Sequence, residues 1–119
     1  MEDWRAVLNV EFSGAEDSFL LKLRPGLFWD DASFQRMTDA MQQCCREVGE
    51  HETLECWLCY GFWYIATFVK DWTSPPSFPR DKGEQFYAER YERLMLLADW
   101  FFVGECPWLG GEMPAVVGG

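Results

Sequence analysis

Cys56 and Cys59, in "LECWLCYGFWYIATFVKDW", stand at the spacing of a zinc-ligand pair, with Cys44, Cys45 and His51 upstream. A structural zinc site needs two such pairs held by turns. Here the Cys-x-x-Cys falls inside an apolar run that reads as helix. The adjacent Cys44 and Cys45 diverge on a helix and supply one ligand between them. Free cysteine is a common small core residue. The expectation is core packing, with no metal and no cofactor. A thioredoxin-like redox pair opens a helix after a strand, where the dipole lowers the thiol pKa. No βαβ unit precedes Cys56, and burial among aromatics acts in the opposite direction.

Hydrolysis by a side-chain nucleophile needs a base, usually histidine. The chain has one, His51, in the polar stretch "GEHETLE". That stretch reads as a solvated loop between helices. No Gly-rich strand-to-helix turn is available for a phosphate. Glu89 and Glu92 could serve acid–base work. Arg90 and Arg93 alternate with them, however, and the four together read as a solvated outer helix face. The chain is expected not to be an enzyme.

What remains is surface. Twenty Asp and Glu face ten Lys and Arg, for a net charge of -10. That excludes a phosphate backbone or an anionic membrane as a direct partner, and favours a basic protein. The acids crowd at Glu16–Asp17, at Asp30–Asp31, and at Glu47, Glu50, Glu52 and Glu55. The last group brackets the junction of two helices, with Trp29 and Trp57 as aromatic anchors. Acid beside exposed ring suits an interface with a basic partner. Candidate partner-binding residues are therefore Trp29, Asp30, Asp31, Glu47, Glu50, Glu52 and Glu55. The tail and the outer face near Glu89 and Glu92 are the next candidates.

Few elements are needed to position these groups. At 119 residues and 49% apolar, the chain is one domain, residues 1–119, with material for one core. "RAVLNVEFSG" alternates, with Ala6, Leu8, Val10 and Phe12 on one face, and is expected as a strand. "SFLLKLR" is expected as a second, antiparallel strand, with a short helix over Glu16–Leu23 as the competing reading. "WDDASFQRMTDAMQQCCREVGE" places Phe34, Met37, Met41, Cys44, Cys45 and Val48 at helical spacing, ended by Gly49. Leu54–Val69 is apolar nearly all round. It is too short for a span and is flanked by Lys70 and Asp71, so it is expected as a buried central helix. "TSPPSFPRDKG" is a loop. Tyr87, Tyr91, Leu94, Ala98 and Phe101 mark a further helix from about Glu84 to Val103. From about residue 104 the tail reads as irregular. The expected class is α+β, helix-dominated: an N-terminal two-stranded β-hairpin packed on three helices.

A small, acidic, tryptophan-rich domain of this kind is similar to bacterial toxin-immunity proteins. "LRPGLFWDDASFQRM" resembles the strand-to-helix opening of some of them. The resemblance implies an inhibitor that plugs or covers the active site of a cognate toxin. It also implies a reason for the acidity, because many such toxins attack nucleic acids or nucleotides and have basic clefts. Five cysteines with no export signal in "MEDWRAVLNVEF" give an expectation of reduced thiols and a cytoplasmic setting. Two alternatives stand beside it. One is a phage-type inhibitor that mimics nucleic-acid charge. The other is a ligand-binding domain or enzyme with an aromatic pocket of Trp57, Tyr60, Trp63 and Tyr64.

Overall fold

The computed structural model describes residues 3–50 and 52–115. Among them there are five helices and no strand: α1 Trp4–Ser13, α2 Phe19–Leu23, α3 Asp31–Val48, α4 Cys56–Thr73 and α5 Glu84–Val103. The expected hairpin, and with it the α+β class, is corrected to all-α. α1 packs on α3, α3 on α5, and α5 on α4.

The physical reason for the correction lies in which residues of α1 find cover. Trp4, Val7, Leu8 and Glu11 are buried, the i, i+3, i+4, i+7 set of a helix face. In the alternating set, Ala6 is exposed and Val10 only half-buried. Glu11 counts as a solvent-side residue in a strand, yet it is fully buried and its Oε1 accepts the Phe19 N–H at 2.8 Å. Asp3 caps the start of α1, and Gly14 ends it in the left-handed conformation at φ 68°. α2 realises the competing helical reading. Ser18 caps it through the Leu21 N–H, and Phe19, Leu20 and Leu23 turn inward. Two strands alone would also have left both edges unpaired.

α3 and α5 follow their sequence periodicity. Phe34, Met37, Met41, Cys44 and Cys45 are buried, and the N–H of Gly49 closes α3 on the Cys45 carbonyl at 2.9 Å. The expected helix over Leu54–Val69 is observed as α4, four residues longer at its C-terminal end. It is not buried all round. Leu58, Phe62, Ile65 and Val69 are core, while Tyr60 and Trp63 stand 57% and 55% exposed. Gly61 sits in mid-helix because the Phe12 ring of α1 lies against it: a Cβ there would come within 2.0 Å of Phe12 Cδ2.

The tail from residue 104 is irregular but docked on α3 and α5. Trp108 packs edge-on against Trp100, the Met113 N–H bonds Gln42 Oε1 at 2.8 Å, and Arg93 donates to the Pro114 carbonyl.

Candidate functional site

Three of the seven candidate residues belong to internal networks. Trp29 is buried, with Phe19, Phe34, Phe86 and Tyr87 rings all within 6 Å, centroid to centroid. It is a core hub and offers no exposed anchor. Asp31, at the start of α3, takes a two-point contact from Arg90 of α5, Nε to Oδ1 at 2.8 Å and Nη2 to Oδ2 at 3.0 Å. Trp29 Nε1 donates to the same carboxylate at 2.9 Å, and Gln35 Nε2 at 3.3 Å. Burial pushes the Asp31 carboxyl up, and the bonds from Arg90, Trp29 and Gln35 outweigh it, so its pKa lies below the ordinary value. Asp30 is held by Lys22 Nζ at 2.7 Å and Ser33 Oγ at 2.6 Å. The Lys22 hydrogen bond is the main reason that its pKa is lowered.

The other four candidates gather at one end of the molecule. The C-terminus of α3 and the N-terminus of α4 meet the C-terminus of α5 here, and the Cα of Glu50 lies 3.0 Å from the position a Cβ on Gly104 would take. The arrangement brings Glu105 to the same end. A cleft of about 360 Å³ opens between α1, α3 and α4, lined by Asp3, Arg5, Glu47 and Glu55 among others. Arg5 Nη1 bonds Glu55 Oε2 at 2.8 Å, and Trp57 Nε1 donates to the same oxygen at 3.0 Å. Arg46, in the last turn of α3, is engaged by Glu112 of the tail. Glu47, Glu50 and Glu52 are exposed. No ion pair among the described residues involves them. The C-terminal ends of α3 and α5 add negative partial charge, and the N-terminal end of α4 opposes them with positive. The result is an acidic pole. His51 lies outside the described residues.

The four aromatic residues expected to share a pocket do not. Tyr60 and Tyr64 line an open groove of about 630 Å³ with Phe12, Leu21, Arg24 and Trp72. Trp63 is on another side of α4, and Trp57 leans on Phe12. The groove wall is a ladder of near-parallel rings, Tyr60 on Tyr64, Tyr64 on Phe68 and Phe68 on Trp72, at centroid distances of 5.5, 5.0 and 5.5 Å. Their spacing of four residues is legible in the sequence. Trp72 Nε1 is already used on the Leu23 carbonyl, and the Arg24 guanidinium lies over Phe68. Arg24 is the groove's one charged lining residue.

Cys44 and Cys45 are buried, and burial pushes the Cys44 thiol up to about 12 and Cys45 further in the same direction. Cys56 is exposed and Cys59 half-buried. Among the described residues no three His, Cys, Asp or Glu converge to hold a metal, and no helix is long and apolar enough to cross a membrane.

Arg90 and Arg93 were expected on the outer face of the last helix beside Glu89 and Glu92. Both are buried instead. Arg93 reaches Gln35 and Thr38 of α3 at 3.0 and 3.2 Å. The outer face of α5 is left to acids and apolar residues. Searches with family models, among curated proteins and among solved structures find no match for this chain.

Proposed function

We infer that this chain is a non-catalytic protein-binding inhibitor of the immunity type, which neutralises a basic toxin or effector domain by covering its active site. The observation that carries this reading is the acidic pole. Three helix ends converge there with Glu47, Glu50, Glu52, Glu55 and Glu105, and among the described residues only Glu55 is matched by a base, Arg5. Such an array complements a cleft built to hold phosphates. Complementary charge speeds encounter and selects the partner. The reading places the inhibitor in the cytoplasm, where its thiols stay reduced.

The test is co-expression with the product of the adjacent reading frame. Growth inhibition by that product alone, relieved by this chain, supports the reading. If the product is harmless, or its toxicity is unrelieved, the reading fails. With a partner in hand, Glu50→Lys with Glu52→Lys should slow association at low salt. The difference should shrink at 1 M salt, where the Debye length falls to about 3 Å. Equal rates for the two proteins at low salt would remove the pole from the interface.

A further inference from the structure

α4 and α5 lie antiparallel, and two contacts set their register. Phe62 stacks on Phe101 at 4.2 Å between centroids, and Thr73 shares a hydrogen bond with Tyr91. One residue further on, each helix has turned by about 100°. Because the helices run in opposite directions, that step carries Trp63 and Phe102 to the same outer side of the seam. Trp63 is 55% exposed and Phe102 46%. Along α5 the same side continues through Glu92, Met95, Asp99 and Phe102, at spacings of three, four and three. Met95 is half exposed, and Glu92 and Asp99 are exposed. Tyr60, 6.2 Å from the Trp63 ring, extends the apolar surface toward the ladder.

This face is a strip of large apolar side chains edged by carboxylates. It stays acidic because α5 spends both its arginines inward, Arg90 on Asp31 and Arg93 on Gln35 and Thr38. The one base within α4 is Lys70, which is exposed. Several of the chain's other cations use rings as platforms. Arg5 lies over Trp4, Arg24 over Phe68, and Arg80 over Tyr87. Trp63 and Phe102 have no such cation from within the described residues.

We propose that the outer face of α4 and α5, centred on Trp63, Met95 and Phe102 and edged by Glu92 and Asp99, docks a cationic amphipathic helix of the partner protein. Charge complementarity selects this occupant. A second copy would bring net charges of -10 together across the seam, and an anionic lipid surface would meet Glu92 and Asp99. A helix with Leu or Ile at three- and four-residue spacing fills the strip. Lys or Arg beside them pair with the two acids and lie on the Trp63 ring. The proposal rests on the protein-binding reading above and names a second contact area, apart from the acidic pole.

The probe is a fluorescent 18-residue helical peptide of Leu and Lys, with a Leu and Glu peptide as control, titrated with the full chain and followed by anisotropy. The Lys peptide should bind and the Glu peptide should not. Glu92→Lys with Asp99→Lys, and separately Trp63→Ala with Phe102→Ala, should each weaken binding by about tenfold or more. Glu50→Lys with Glu52→Lys should change it by less than about twofold. Circular dichroism confirms folding, and the charge pair decides the matter if the aromatic pair does not fold. Any of four results overturns the proposal: no binding of the Lys peptide, equal binding of the Glu peptide, unchanged affinity in the Glu92 and Asp99 variant, or loss confined to the Glu50 and Glu52 variant. Sedimentation of the wild type as a dimer that Trp63→Arg makes monomeric would also overturn it, by assigning the face to a second copy. Toxin relief that survives the Glu92 and Asp99 changes but not the Glu50 and Glu52 changes would sink this face and leave the inhibitor reading standing.

Discussion

Asp31 and Arg90 tie the start of α3 to the middle of α5 in a site closed to water. Each is satisfied several times over, so removing one partner strands a buried charge. Asp31→Asn should therefore cost about 3–5 kcal/mol in urea denaturation. A loss below about 1 kcal/mol would mean that the pair is not closed off as described. The lowered Asp31 pKa gives the pH sign. Its contribution is complete above the unfolded-state value and is lost as pH falls through the folded-state value. Glu11 works the other way. Burial raises its pKa, with the Phe19 N–H bond opposing, and its Oε2 has no hydrogen-bond partner among the described residues. The folded state then holds the proton where the unfolded state has released it. Stability should fall as pH rises from the ordinary carboxyl value through the raised one. Glu11→Gln should abolish that segment of the pH–stability curve and leave the acid limb set by Asp31. An unchanged curve in the variant would refute the assignment. Acidic spacing in the sequence singled out Asp31 for the surface, and the structure places it inside. A carboxylate beside a tryptophan looks the same in one dimension whether solvent or an arginine 59 positions away completes it.

The helices divide by how local their signals are. α3 and α5 were legible because the periodicity lies within each segment, joined in α3 by an acidic start and a closing glycine. α1 and α2 were misread because a short segment with mixed periodicity is decided by what it packs on. α4 was legible as a helix but not as an exposed one. An all-round apolar run signals burial only when enough neighbours exist to surround it. Here α1 and α2 cover one flank and α5 another, and the sector between is left to Trp63. Phe62→Ala should therefore cost about 3–5 kcal/mol, and Trp63→Ala under about 1 kcal/mol. Equal large losses in chemical denaturation would restore the buried-centre picture. Equal small losses would unseat Phe62 from the core.

The whole chain closes through its tail. Residues 104–115 cover the seam of α3 and α5 and supply a carbonyl to Arg93, a backbone donor to Gln42 and a ring to Trp100. Ending the chain after Gly104 should lower stability by about 1–3 kcal/mol, because buried polar groups lose partners. Thermal denaturation of the truncated and full chains checks this, and identical midpoints would show the tail to be dispensable. The sequence by itself determined the acid surplus, the lack of a recognisable catalytic motif, the bounds of α5 and the closing glycine of α3. These depend on composition or on residues within a turn or two of one another. Tertiary structure alone decided that the N-terminus is helical, that Trp29 and Asp31 lie inside, that Arg90 and Arg93 turn inward, and that Trp63 faces out. The reason is common to all four. Pattern says which side chains seek cover or a counter-charge, but only the packed neighbours decide which of them obtain it.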